Sequence, residues 1–192
     1  MNKKVIYILI GLAIIFFVTS LIIFLNSSGV FKRALEDKKG VPEVEEVVKK
    51  KKKVKIFFLT EKSAYFRPVK YELDIPENNT ELYRNYLDLM FDEVKGRIAP
   101  FPEGVKLKSF FHIKNKKMIV LDFNEELLIR FPGGSRSEIE FIYFFVNNIC
   151  YNFKEVEKVK FLVSGNEYKT LSGHLDIENP FFPNFRYIRD EQ

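Results

Sequence analysis

Ser135–Phe153 reads SRSEIEFIYFFVNNICYNF. Ile139, Ile142, Tyr143, Val146, Ile149, Cys150 and Phe153 recur at helical spacing and form one long apolar stripe. Gly133 and Gly134 precede the stripe, and Ser135 with Glu138 three residues on has the spacing of a capping box, in which each side chain satisfies a backbone donor at the helix start. The segment predicts a helix that must bury its stripe against a sheet. Downstream, Lys158–Ser164 (KVKFLVS) predicts a strand that turns at Gly165 and Asn166 into a short partner running through Leu171. Upstream, Pro100–Gly104 (PFPEG) is a turn cluster, and Lys106–Ile113 with Lys117–Phe123 predicts a hairpin around Lys114, Asn115 and Lys116. Met118–Leu121 is apolar on both faces, as in a central strand.

The same reading continues toward the N-terminus. Leu82, Tyr83, Tyr86, Leu87, Met90, Phe91 and Val94 make a second helical stripe, with Asn79 or Thr80 as its cap. Val54–Thr60 and Tyr65–Asp74 predict two strands, the second near an edge because it holds Pro68. The predicted order is β-β-α-β-β-α-β-β, an α+β fold with two helices packed on one face of a mainly antiparallel sheet. This domain covers residues 54–179, and an aromatic tail, PFFPNFRYI, opens the last segment, 180–192.

Val5–Leu25 contains no charge, proline or amide side chain. At 1.5 Å per residue such a run spans about 30 Å, the depth of a bilayer's hydrocarbon core. It is longer than the apolar region of a signal peptide and exits through Phe24, Leu25 and Asn26 rather than small residues, so it reads as an uncleaved transmembrane signal anchor. Residues 1–4 form the short tail before it, and residues 26–53 a charged linker ending in Lys49–Lys53. Lys32, Arg33, Lys38 and Lys39 favour the C-terminal side as cytoplasmic by count, whereas large C-terminal regions translocate regardless of charge, which favours a cytoplasmic N-terminus and an external domain. The linker reads as a solvated tether, with contact between its lysines and an anionic surface as the alternative.

Composition excludes several classes. Hydrophobic residues make up 46% and aromatics 16%, too much burial for a disordered chain, and Cys150 alone cannot build a disulfide framework. The formal charge of +5 divides unevenly. Residues 1–53 hold 11 Lys/Arg against 5 Asp/Glu, an excess of +6, and residues 54–192 hold 20 against 21, a net of −1. The domain therefore carries no electrostatic footprint for nucleic acid.

Catalytic constellations are equally scarce. His112 lies on a strand beside lysines and His174 in a Gly-flanked loop, so both read as surface histidines, and Cys150 falls on an apolar stripe. Gly133-Gly134-Ser135-Arg136-Ser137 lacks the closing glycine of a nucleophile elbow, and its backbone amides are expected to serve the helix start rather than an anion. Asp92–Glu93 and Glu125–Glu126 are adjacent pairs whose side chains diverge, and no metal-ligand spacing occurs. No catalytic, cofactor or metal residues are expected. The candidate interaction surface is the tail, through Phe181, Phe182, Phe185 and Tyr187, which either docks on its own domain or presents an apolar patch.

Five segments in order resemble the GerMN domain, found in sporulation, spore-germination and cell-envelope proteins: PFPEGVKLKSF (Pro100–Phe110), MIVLDFNEEL (Met118–Leu127), SEIEFIYFFVNNI (Ser137–Ile149), VEKVKFLVSG (Val156–Gly165) and GHLDIENPF (Gly173–Phe181). The similarity runs from about Val54 to Pro180. The sequence departs from the pattern in having Asn148 where Thr follows Asn147, one domain copy where some members have two, and no lipoprotein Cys after the apolar run. The resemblance implies a non-catalytic extracytoplasmic module, related in shape to ring-building domains that assemble envelope complexes. The expected protein is single-pass in the cytoplasmic membrane and acts as an assembly or scaffold domain. Its expected partners are other envelope proteins or further copies of itself. The alternative is a peptidoglycan-binding module or an accessory factor of a cell-wall hydrolase.

Overall fold

The computed structural model describes residues 3–27, 50–61 and 63–189. The chain divides into two units, Met1–Val48 and Lys49–Gln192. In the first, Lys3–Ser27 form one α-helix, α1. Among the described residues, no helix is long and apolar enough to cross a membrane. The tether expected over residues 26–53 lies outside the described residues except at 26–27 and 50–53.

Among its described residues the second unit contains five strands and three α-helices: β1 (Lys51–Thr60), β2 (Ser63–Asp74), α2 (Asn79–Glu93), β3 (Leu107–Ile113), β4 (Met118–Phe123), α3 (Glu126–Ile129), α4 (Ser135–Asn152) and β5 (Lys158–Val163). The strands form two sheets, an antiparallel pair β1-β2 and a three-stranded sheet in the order β3-β4-β5. β3 and β4 are antiparallel, and β4 and β5 are parallel. The class is α+β, but the arrangement corrects the expected single, mainly antiparallel sheet. A strand that returns through a helix of α4's length re-enters its sheet in the direction it left, so the crossover dictates parallel pairing.

The expected sixth strand, through Leu171, is absent among the described residues. After β5, Ser164 and Gly165 adopt positive φ of 49° and 78°, and only an isolated bridge joins Val163 to Asn166. The backbone beyond is bound by a side chain of α4, described below, instead of by a strand. At the other boundary β1 begins at Lys51, so Lys51–Lys53 pair in register with Asp74, Leu73 and Glu72.

The core has no single helix-on-sheet layer either. α4 packs on both β1 and β5, and α2 packs on β2. Accordingly α4 is buried almost all round: Phe141, Ile142, Phe144, Phe145, Val146 and Ile149 are all inaccessible or nearly so, and only Ile139 and Tyr143 of the expected stripe are partly exposed. Phe123, Phe141, Phe145 and Phe161 cluster around its inner face with ring centroids 5.1 to 6.5 Å apart. Burial pushes the thiol of Cys150 up to about 12, so it remains protonated and inert at neutral pH.

Caps follow local chemistry with small shifts from the sequence reading. α2 is capped by Asn78, one residue before the expected position, whose side chain accepts from the Glu81 N–H at 2.8 Å. α4 is preceded by Gly134 at φ 110°, with no side-chain cap. That position places Ser135 inside the helix and turns Glu138 away from the helix start. The expected capping box does not form.

Candidate functional site

The polar residues inside this domain are spent on backbone groups, and most of them belong to the motifs that carry the family resemblance. Four clamps result.

The first is an amide ladder. Asn148 is fully buried; its Oδ1 accepts from Phe57 N–H at 2.8 Å, and its Nδ2 donates to Phe57 C=O at 3.1 Å and Phe144 C=O at 2.8 Å. One turn on, Asn152 repeats the pattern with Lys55, accepting its N–H at 2.8 Å and donating to its C=O at 2.7 Å. Four helical residues rise about 6 Å, close to the roughly 6.7 Å between alternate residues of a strand, so side chains at i and i+4 match a strand edge at j and j+2. Two amides therefore complete the edge of β1 as a neighbouring strand would. The same geometry explains Pro68: it lies opposite Phe57, whose N–H and C=O face Asn148, so the missing proline donor breaks no ladder bond. The Tyr86 hydroxyl, itself fully buried, closes the network to Lys55 C=O at 3.0 Å and receives Asn152 Nδ2 at 2.8 Å. Desolvation raises its pKa well above the usual tyrosine range.

The second clamp is Glu138, whose carboxylate is completely buried. It accepts from the backbone N–H of Ser172, from His174 N–H at 3.1 Å and from Leu175 N–H at 2.6 Å. Three amide donors replace the water that a buried carboxylate would lose. This clamp fixes the backbone of residues 172–175 against α4.

Turn residues supply the third. Asp122 Oδ1 accepts from Gly165 N–H at 2.8 Å, and Asn124 bridges Lys106 N–H and Gly104 C=O, both at 2.8 Å. Gly104 sits at φ 90°, a conformation open to glycine, so PFPEG closes onto MIVLDFN through one amide.

The fourth clamp holds the tail. Asn147 accepts from Asn184 N–H at 2.8 Å and donates to Asn184 C=O at 2.9 Å, while Phe181 and Val159 exchange both backbone bonds at 2.8 and 2.9 Å. Phe181 packs edge-on to Tyr143 and Phe161, Tyr187 lies 4.9 Å from Tyr143, and Ile188 is buried beside β2. Of the four expected surface residues, Phe181 and Tyr187 thus dock on the domain. Phe182 and Phe185 remain 60% and 45% exposed, with Lys158 Nζ 5.6 Å from one ring and Lys154 Nζ 5.9 Å from the other.

Glu138 of α4 meets the loop that holds Ser172 and His174, bringing a carboxylate, a hydroxyl and an imidazole together. They form no relay. His174 Nδ1 stands 3.8 Å from Glu138 Oε2, beyond hydrogen-bond reach, and the Ser172 hydroxyl is buried without a partner. His112 rests edge-on to Tyr83 with ring centroids 4.9 Å apart. No group of three or more metal-ligating side chains occurs among the described residues. The clue to the clamps was available: Asn147, Asn148 and Asn152 interrupt an otherwise apolar helix, and buried amides demand partners.

The Glu138 clamp gives a direct expectation. Glu138→Gln places an NH2 group among N–H donors and removes the charge, at a cost of about 2–3 kcal/mol. The melting temperature should fall by about 10 °C, and amide exchange should accelerate at Ser172–Leu175 while β4 stays protected. Unchanged exchange in that loop would contradict the assignment.

A family model described as sporulation and spore germination (Germane) matches residues 55–169. No curated protein matches the chain. Among solved structures, a Clostridium perfringens protein described as a lipoprotein is 19% identical, with 69% of this chain and 87% of that chain covered and a TM-score of 0.45. The tandem GerMN domains of the Bacillus subtilis sporulation protein GerM are 16% identical, covering 69% of this chain and 46% of that one, with a TM-score of 0.48. The first GerMN domain of the same protein gives 16% identity, coverage of 68% and 97%, and a TM-score of 0.47. With the match spanning more than half of the sequence and the motif residues forming the clamps of its fold, the chain belongs to the Germane family of sporulation and spore germination domains.

Proposed function

We propose that this protein is a membrane-anchored, extracytoplasmic assembly module of the cell envelope, without chemistry of its own. One observation carries the reading: the polar residues of the family motifs, Asp122, Asn124, Glu138 and Asn147, are consumed by backbone partners, while two large aromatics, Phe182 and Phe185, are held in solvent by a tail that is itself pinned down. Buried charge and amide are used to rigidify, and exposed apolar area is what remains for recognition. Aromatic side chains that need no ordering on contact supply burial at low entropic cost. The apolar run Val5–Leu25 is the proposed anchor, with the N-terminus in the cytoplasm and the domain outside.

Protease added to intact spheroplasts should digest the domain, and protection would reverse the topology. The double variant Phe182→Ser/Phe185→Ser should melt within about 2 °C of the parent, since neither ring is core, and should shrink the complex that the full chain forms in mild detergent. A complex of undiminished size would remove the tail from the interface.

A further inference from the structure

Alternation and register put Phe111 and Ile113 of β3, Met118 and Val120 of β4 and Leu162 of β5 on the side of the β3-β4-β5 sheet turned away from the core residues Phe110, Leu121 and Phe161. None of the five packs against the hydrophobic core. The helices meet this sheet from the other side, α4 through Phe161 and α2 through His112. Phe181, bridged to Val159, turns its ring toward Tyr143 and Phe161, so Phe182 falls on the outer side, where Lys158 Nζ lies 5.6 Å from its ring. Ile113, Met118, Val120 and Leu162 are half-buried and form a floor, while Phe111, 52% exposed, and Phe182 stand at opposite margins. Strands paired in parallel, as β4 and β5 are, belong to sheets buried on both faces, and an apolar outer face is what such a sheet presents to a cover.

Charge decides what the cover can be. Lys108 lies at the β3 margin and Lys158 at the β5 margin, and neither has a carboxylate partner among the described residues. The acids nearby are already engaged: Glu157 by Lys117, Glu167 by Lys160 at 3.0 Å and Asp122 by Gly165 N–H. We infer that this face is the seat of a single amphipathic helix from a partner protein, apolar toward Val120 and carrying Asp or Glu along the flanks that meet Lys108 and Lys158. The outer strands of a three-stranded sheet stand about 10 Å apart, the width of one helix with its side chains. A second copy turned face to face would set lysines against lysines, a mismatch that a partner with acidic flanks removes. An anionic membrane would meet Phe111 and Phe182 and leave the floor between them uncovered. The inference rests on the assembly reading and names the shape and charge of the partner.

The test places a photoreactive residue at Phe111 of the full chain in living cells and reads the cross-linked peptide by mass spectrometry. The adduct should be a segment of another protein with apolar residues at i, i+3, i+4 and i+7 and Asp or Glu beside them. Lys158→Glu should cut its yield at least tenfold, and Lys70→Glu, on the other sheet, should leave it within twofold. Lys108→Glu, at the exposed margin, repeats the test if Lys158→Glu fails to fold. Undiminished adduct in both margin variants overturns the proposal. So does a cross-linked peptide from a second copy, an adduct to lipid, or a partner segment without the amphipathic, acidic pattern. Adducts from position 182 without any from 111 refute the helix seat and leave the assembly role standing, whereas silence at 111, 182 and 185 refutes both.

Discussion

Val146→Asp is expected to leave no cooperatively folded domain at 25 °C. Val146 is completely buried in α4, the helix that touches both sheets. An aspartate there has no partner, since the polar side chains nearby, Asn147 and Asn148, are committed to Asn184, Phe57 and Phe144. The penalty of several kcal/mol is comparable with a total stability of roughly 5–15 kcal/mol. Far-ultraviolet circular dichroism and a thermal scan decide the matter. A melt like that of the parent would place Val146 at the surface and invalidate the packing described for α4.

The second large effect belongs to Asn148→Ala. The substitution strands Phe57 N–H and Phe57 C=O inside the domain and removes the amide bonded to Phe144 C=O. At about 1–3 kcal/mol for each of the two unsatisfied groups of Phe57, the loss is about 2–6 kcal/mol, a large change for one uncharged residue. Asn148→Asp should not rescue it, because the carboxylate restores only the acceptor half of the ladder. Chemical denaturation of both variants measures this, and a loss below about 1 kcal/mol for Asn148→Ala would show that β1 does not depend on its amide edge.

These two residues mark the division between what was legible in the sequence and what was not. Helical period located α2 and α4, and alternation with the turn residues Gly104 and Lys114–Lys116 located the β3-β4 hairpin, because those signals are local. The direction of β5 was not local. It depends on α4 serving as a crossover, which no window of the sequence displays. Ser135 and Glu138 have the spacing of a capping box and of a helix-to-loop clamp alike. The choice rests on Gly134 taking φ 110° and on three amides arriving from Ser172–Leu175, far along the chain. The strand expected through Leu171 fails earlier, where Ser164 and Gly165 take positive φ and only an isolated bridge joins Val163 to Asn166. The tail presented a choice between docking and exposure, and it does both: its contacts bury Ile188, half-bury Phe181 and Tyr187 and leave Phe182 and Phe185 outside. A pattern of aromatics without period gives no means of sorting them, whereas Asn147 beside the tail's Asn184 does so at once.

The amide ladder also bears on where partners can attach. β1 has its outer edge closed by Asn148 and Asn152, and β5 exchanges bonds with Phe181, so these two edges offer few free backbone groups. The outer edge of β3 is flanked by Lys106, Lys108 and Lys114, charges of the kind that discourage strand addition.

Site-directed photo-crosslinking in living cells addresses the proposed recognition through the tail most directly, with a photoreactive residue placed singly at Phe182, Phe185 and, for comparison, Lys114. The account predicts discrete adducts with one envelope protein or with a second copy of the chain from positions 182 and 185 and none from 114. Absence of adducts at both tail positions, or an identical pattern at all three, would contradict it.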